Sequence, residues 1–241
     1  MIKPIYKPSG RAGEYGDYAL NIYTGCPHRC YYCFAPQVLR KDREEFHSNV
    51  TLRNDIIKAT QRQLVDEEIT GQLIHICFTC DPYPKGHDTT ATREIIKALK
   101  MFGNHVQILT KNGKAAMRDF DLLDNEDWFG ITYAGYDEHI LNIPPKEELC
   151  AGDVPHRLAA LVDAHNHGIK TWVSYEPVLN AESVLSFIKH TDVVDKFKIG
   201  KLNYWPSDIN WAEFGQQAEE ICKERGLDYY IKEDLRKLMS K

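Results

Sequence analysis

Short apolar runs alternate with amphipathic stretches along most of the chain. The runs "YALNIYTG" (18–25), "LIHICFT" (73–79), "HVQILTK" (105–111), "WFGITYA" (128–134), "IKTWVSY" (169–175) and "VVDKFKIGK" (193–201) read as six strands. Between them the apolar spacing becomes that of a helix. In "LRNDIIKATQRQLVDEE" (52–68), Leu52, Ile56, Ile57, Thr60 and Leu64 share one stripe, as Ile95, Ile96, Leu99 and Phe102 do in "TREIIKALKMF" (92–102). "KAAMRDFDLLD" (114–124), "HRLAALVDAHNHG" (156–168, closed by Gly168) and "AESVLSFIKH" (181–190) continue the series. Further helices are expected at 210–225 and 232–239.

Strands and helices in strict alternation predict parallel strands joined by right-handed crossovers. The expected fold class is α/β, a partial TIM-type (β/α)6 barrel of parallel strands, with an open doubly wound sheet as the alternative. No linker, low-complexity tract or repeat divides the 241 residues. A single domain is expected, with a core barrel at about 17–205 and a helical C-terminal extension at 206–241. Both architectures gather their chemistry at the carboxyl ends of the strands. The sequence puts clustered cysteines after the first strand, "TCDPYP" after the second and "TKN" after the third. "TYAGYD", "YEP" and "GKLN" follow the fourth, fifth and sixth.

At this length, with 43% apolar residues, a core forms without disulfide or metal, because about 70–75% of the unfolded surface is buried. The dullest reason for clustered cysteines is thereby removed. No run of 18 apolar residues occurs, and the N-terminus lacks the apolar stretch of a secretory signal. A cytoplasmic location is expected, where thiols stay reduced and clustered cysteines bind metal or do redox work. The formal net charge is −5, and the basic runs "KALK", "LRKDR" and "DLRKLMSK" are short and close to acids. They read as solvated helix faces, so tight binding of a nucleic-acid duplex is not expected.

Three of the seven cysteines, Cys26, Cys30 and Cys33, fall within "TGCPHRCYYCFAP" (24–36) in a C-x3-C-x2-C spacing. Thiolates select zinc, copper(I) or iron–sulfur clusters. Structural zinc takes four protein ligands, often two C-x2-C pairs, whereas only one such pair is present and His28 suits a turn better than a fourth ligand. Three cysteines on one loop can instead hold three irons of a [4Fe–4S] cluster and leave the fourth open, unlike the four-cysteine ligation of electron carriers. A zinc knuckle and a set of inert buried thiols remain the alternatives.

The motif, with Tyr32 before its last cysteine and the first strand before the loop, resembles that of radical S-adenosylmethionine (radical SAM) enzymes. The strings "NIYTGCPHRCYYCFAP", "FTCDPYP", "ILTKN", "HRLAALVDAHNHGI" and "SYEPVL" narrow the resemblance, over about residues 10–200, to the spore photoproduct lyase or DNA-repair-photolyase-like branch. The resemblance implies a [4Fe–4S] cluster on Cys26, Cys30 and Cys33, with S-adenosylmethionine on its open iron. It further implies reductive cleavage to a 5′-deoxyadenosyl radical that abstracts hydrogen from a substrate, and a reducing partner such as flavodoxin or ferredoxin. The protein would supply orientation and a dry cavity.

By the same resemblance Tyr32 neighbours adenine, although it can equally pack beneath the loop. Thr79 and Asp81 suit the methionyl ammonium, while an Asp-Pro pair is also an ordinary turn. Lys111, Thr132 and Glu176 end the third, fourth and fifth strands. The lysine and glutamate suit the methionyl carboxylate and a ribose hydroxyl, or a salt bridge closing the rim. Arg157 matches an arginine of the branch, and its fork suits a carboxylate. Lys201 and Asn203 are weaker candidates. Cys80 is a candidate hydrogen donor, or a small buried apolar residue like Cys77. Cys150 and Cys222 read as structural, and "HNH" (165–167) as helix C-terminal histidines.

The substrate is left open between a small molecule, a nucleotide and a peptide, with damaged DNA less favoured, since no basic hairpin appears in the tail. The non-enzyme alternative is an iron–sulfur or zinc protein that senses redox state or binds a partner.

Overall fold

Successive side chains of a strand point to opposite faces, and the strands here use the two faces differently. Ile74, Ile76, Val106, Ile108, Phe129, Ile131, Val173, Phe197 and Ile199 join the helices in one buried apolar cluster. The alternate positions are polar or shaped to fit polar neighbours: His75, Gln107, Gly130, Trp172, Ser174 and Lys198. These meet around Tyr15. His75 lies 5.6 Å from its ring and Trp172 5.9 Å, and Lys198 Nζ sits 4.7 Å above it.

The computed structural model describes residues 3–135 and 151–240. A short 3-10 helix (Gly10–Glu14) precedes β1 (Tyr18–Leu20), β2 (Tyr23–Thr24), α1 (Ala35–Val38), α2 (Arg43–Ser48) and β3 (Thr51–Leu52). Then follow α3 (Ile56–Asp66), β4 (Leu73–Ile76), α4 (Thr90–Met101), β5 (His105–Thr110), α5 (Gly113–Ala116), a 3-10 turn (Met117–Leu122) and β6 (Trp128–Thr132). The remainder is α6 (Val154–Asn166), β7 (Lys170–Tyr175), α7 (Ala181–His190), β8 (Lys196–Ile199), α8 (Trp211–Arg225), β9 (Asp228–Ile231) and α9 (Glu233–Met239). Asp42, Asp153, Asn180 and Asn210 cap α2, α6, α7 and α8 through their side chains, each accepting from a backbone N–H of the first turn.

The main sheet has seven strands in the order β1-β4-β5-β6-β7-β8-β9, all parallel. The α/β class and the parallel, partial-barrel architecture agree with the sequence reading. The strand count does not. Residues 206–241, expected as a helical extension, supply β9, which pairs with β8 from Lys196↔Asp228 to Ile199↔Ile231. This four-residue strand is wedged between two helices, directly after Gly226 closes α8 in the left-handed region (φ 65°). A run so short shows no period of its own.

Three boundaries also shift. The first run stops at Leu20, and Tyr23–Thr24 pairs antiparallel with Thr51–Leu52 in a separate two-stranded sheet. The second change follows from this: the helix expected from 52 starts at Ile56, and Leu52 is exposed. Third, the helix expected over 114–124 is α-helical only to Ala116, because buried Asp119 turns its carboxylate to Tyr83, Arg93 and Arg118. Among the described residues, no helix is long and apolar enough to cross a membrane.

Gly130 makes room for the indole of Trp172, whose Nε1 donates to the Ile108 carbonyl at 3.0 Å. A Cβ at position 130 would lie 2.3–2.6 Å from the indole. Gly130→Ala is therefore expected to cost about 1–3 kcal/mol through overpacking, measured by urea denaturation at neutral pH. An unchanged midpoint would show that the interior yields freely there.

Candidate active site

The carboxyl ends of the strands open on a cavity of about 610 Å³. It is lined by Cys26, Cys30, Cys33, Tyr32, Thr79, Cys80, Asp81, Lys111, Thr132 and Glu176, all of them sequence candidates. Arg157 is not among the lining residues. It is buried, its Nε donating to the Gly152 carbonyl at 2.8 Å and an Nη to that of Thr132 at 3.1 Å, so it braces backbone behind the wall.

The cysteine loop is held by its backbone. Gly25 turns the chain at φ 81°, where a Cβ would come within 2.6 Å of the Phe46 and Asn49 carbonyls. The Cys26 N–H donates to the Phe46 carbonyl (3.3 Å), and the Cys26 carbonyl meets His47 Nδ1 (2.7 Å). The Cys30 carbonyl accepts from the Cys33 N–H (2.9 Å) and from an Arg43 Nη (2.7 Å). These bonds occupy peptide groups only and leave the thiols to the cavity.

Among the described residues no cysteine forms a disulfide. Burial, then the neighbouring Asp81 charge, pushes the Cys26 thiol well up, and burial raises Cys33. Thiolates at these positions need a cationic partner, which a metal centre supplies. Four thiolates around one zinc, at about 2.3 Å each, would stand roughly 3.8 Å apart. Among the described residues, the one set of three His, Cys, Asp or Glu donors within 4.8 Å of one another is His105, Asp124 and Glu126, far from this loop in sequence. His28 is engaged as well: its Nε2 accepts from the Lys85 N–H at 3.2 Å, and its Nδ1 lies 3.4 Å from Asp81. Burial lowers its pKa and keeps it neutral. Three thiols outside any disulfide, spread wider than one ion requires and with His28 engaged elsewhere, fit a multi-iron cluster better than a zinc site.

Asp81 does not stand open to a ligand. One carboxylate oxygen accepts from Thr110 Oγ1 (2.6 Å) and the Tyr83 N–H (2.8 Å), and the other from the Lys111 N–H (2.8 Å). It fastens the loop after β4 to the end of β5. Thr79 is the opposite case. Its N–H donates to Asn21 Oδ1 (3.0 Å), but its buried hydroxyl has no partner. Such a group costs about 1–3 kcal/mol unless a ligand satisfies it. Lys111 Nζ lies 5.5 Å above the Tyr32 ring, with no carboxylate within 4.0 Å among the described residues.

Glu176 is paired, and not with Lys111. Its Oε2 accepts from Lys232 Nζ (2.6 Å) and the Tyr15 hydroxyl (3.0 Å), and its Oε1 from Asn203 Nδ2 (3.0 Å). Lys232, Tyr15, His75 and Lys198 went unnoticed in the sequence. For His75 and Lys198 the signal was present, as lone polar residues inside apolar runs. Lys232 was hidden in the tail read as helical. Burial lowers His75 to about 3, so it is neutral. Cys77, buried at φ 69°, accepts from the Ile22 N–H (3.4 Å), and burial beside Cys80 pushes its thiol well up. Cys222 is buried in the core as expected, and His165 and His167 end α6, exposed. Cys150 and residues 136–137 of "TYAGYD" lie outside the described residues.

No family model matches the chain. Uncharacterized proteins of Mycobacterium tuberculosis and Mycobacterium bovis are 28% identical over 111 residues, which is 44% of this chain and 32% of theirs. The match thus spans about a third of those relatives' length. Solved structures align over far more. Spore photoproduct lyase complexed with dinucleoside spore photoproduct superposes with a TM-score of 0.68 at 13% identity, covering 94% of this chain and 79% of that one. SuiB from Streptococcus suis bound to S-adenosylmethionine gives 0.61 at 15%, over 88% and 50% of the two chains. A radical SAM methyltransferase from Sphaerobacter thermophilus gives 0.58 at 13%, over 89% and 65%.

The chain has the radical SAM fold. Within that fold the cysteine loop follows the first parallel strand, and the cavity opens where strands β4 to β9 end. The polar interior beneath it is a titratable part of the fold. Burial, with repulsion from Lys196 and Lys232, lowers Lys198 to about 7 from 10.5. Between those values the unfolded chain holds a proton that the folded chain has released, so this residue makes stability rise with pH. Below pH 7 both states are protonated and the cost of burying the charge is present in full. Denaturation at pH 7 to 8.5 should therefore show wild-type stability gaining on that of Lys198→Met, by up to about 1.4 kcal/mol per pH unit. Parallel curves would show that Lys198 keeps its proton inside the fold across this range.

Proposed function

We propose that this protein is a radical SAM enzyme whose [4Fe–4S] cluster is held by Cys26, Cys30 and Cys33. The observation that carries this is the placement of three cysteines outside any disulfide, with no fourth protein donor gathered beside them among the described residues, on a cavity wall at the strand ends of this fold. When bound, the cluster supplies one electron to S-adenosylmethionine, which yields methionine and a 5′-deoxyadenosyl radical able to take a hydrogen atom from a substrate.

The chain's own residues have separable tasks. Lys111, with no acidic partner among the described residues, receives the methionyl carboxylate, and the Thr79 hydroxyl, unpartnered among them, receives the ammonium. Tyr32, fixed beside Lys111, borders the adenine. Asp81 positions Lys111 and Thr110 through hydrogen bonds. Glu176 and Asn203, already bonded to each other, offer acceptor and donor to the ribose. Thr132 closes the wall above β6, while Arg157 holds that wall's backbone and acts only indirectly. The Cys80 thiol, which lines the cavity, would return a hydrogen atom to a product radical. The reaction is lyase-like by likeness to spore photoproduct lyase, the setting is a reducing cytoplasm, and the electron comes from a donor such as flavodoxin or ferredoxin.

Anaerobically reconstituted protein with dithionite should convert S-adenosylmethionine to 5′-deoxyadenosine, followed by chromatography. Cys30→Ala should lose both the brown colour and the turnover. Lys111→Met should weaken S-adenosylmethionine binding about tenfold to a hundredfold, the worth of one charge-assisted hydrogen bond. A colourless wild type that binds one zinc and makes no 5′-deoxyadenosine would favour the sensing or interaction protein instead.

A further inference from the structure

Among the described residues, the charges around the cavity do not cancel. Its lining holds four cations, Arg11, Lys111, Lys201 and Lys232, and two carboxylates, Asp81 and Glu176. Glu176 neutralises Lys232, and Asp234, outside the lining, neutralises Arg11 at 2.7 Å. His28 and His75 are kept neutral by burial. After these pairings Asp81 faces two lysines, and one positive charge is left over among the described residues.

The proposed cofactors do not absorb it. A [4Fe–4S]2+ core with three thiolates carries one negative charge, and S-adenosylmethionine carries one net positive charge. S-adenosylmethionine also has a single carboxylate, for two lysines that lack an acidic partner among the described residues. Lys111 directly follows β5 and is held over Tyr32. Lys201 follows β8, three strands further along the sheet, in a segment whose Leu202 and Trp205 pack with the cysteine loop. Its Nζ contacts the Leu202 carbonyl at 3.4 Å. With Lys111 assigned to the cofactor as proposed above, Lys201 is left without an anion among the described residues.

The residues beside Lys201 add a shape to the charge. Tyr204 holds φ at 68°, a region that a bulky side chain rarely enters and that marks ligand clamps. The residue is 60% exposed and lines the cavity, with the Arg11 guanidinium 5.4 Å from its ring centre. Phe34, from the segment after the last cluster cysteine, also lines the cavity and is 44% exposed. Two exposed rings at the mouth of a site whose surplus charge is positive suit a flat, unsaturated group carrying an oxyanion.

We infer that Lys201 and Tyr204 form the substrate-recognition element of this site, and that the substrate bears one oxyanion, carboxylate or phosphate, next to a planar ring. The inference rests on the radical SAM reading for the assignment of Lys111 to the cofactor. Lys201 is thus a specificity residue, and its loop after β8 decides what enters.

The test is binding rather than turnover. Reconstituted protein saturated with S-adenosylmethionine is titrated calorimetrically with benzoate, phenyl phosphate and benzyl alcohol. The two anions should bind about tenfold or more tightly than the alcohol. The tighter anion identifies the oxyanion, and equal affinity places both in the class. Lys201→Gln should remove that advantage and leave benzyl alcohol binding as it was, an internal check that the site has folded. Lys201→Arg should keep it. Tyr204→Gly, which relieves the backbone, should weaken all three probes. No preference for anions in the wild type, or a preference that survives Lys201→Gln, overturns the inference alone. A wild type that takes up neither cluster nor S-adenosylmethionine overturns the parent reading and this one with it.

Discussion

A loop that must present three thiols to a cavity cannot also spend its side chains on holding itself in place. Everything else about the site follows from how that constraint is met. The carbonyls of Cys26 and Cys30 are gripped by His47 and Arg43 of α2, and the Cys26 N–H by Phe46. Gly25 allows the close approach that these bonds need. The small antiparallel pair β2–β3 returns the chain so that α2 stands beside the loop. The irregular stretch between β1 and α3 is thus a clamp, and its departure from strand-helix alternation is the cost of freeing the sulfurs.

The same division of labour extends under the cavity. One face of the sheet packs on helices through aliphatic side chains, while the other carries His75, Gln107, Ser174 and Lys198 around Tyr15. Tyr15 comes from the segment before β1, so the chain's own N-terminal stretch fills the interior. Its hydroxyl bonds Glu176 and Ser174, and its carbonyl accepts from Lys198 and Gln107. His75 Nε2 apart, which has no hydrogen-bond partner among the described residues, these bonds fix positions well, since losing one partner leaves another uncompensated. Glu176 is therefore held in one orientation at the cavity rim by Lys232, Tyr15 and Asn203.

The α/β class, the parallel order and six of the seven sheet strands were legible in the sequence because apolar runs of adequate length announce themselves. β9 was not: four residues between two helices carry too little pattern. The site was legible in part for a similar reason. Residues at strand ends are placed by the strands, so Thr79, Lys111 and Glu176 could be assigned to one mouth before the structure was known. Their partners could not. Glu176 finds Lys232, 56 residues away, and not Lys111, because that choice depends on how closely β9 joins the sheet's edge. Asp81 reads as a ligand by type, yet three hydrogen bonds to its own chain make it a brace. Arg157 shows the same limit, since helix position alone does not tell whether a guanidinium faces the cavity or the backbone behind it.

The central claim is that one iron of a four-iron cluster lacks a protein ligand. Mössbauer spectroscopy of protein reconstituted anaerobically with 57Fe tests it directly. The account predicts that adding S-adenosylmethionine moves one quarter of the iron signal to a higher isomer shift, leaving three quarters unchanged. A spectrum indifferent to S-adenosylmethionine, with all four irons in thiolate-type sites, would contradict it.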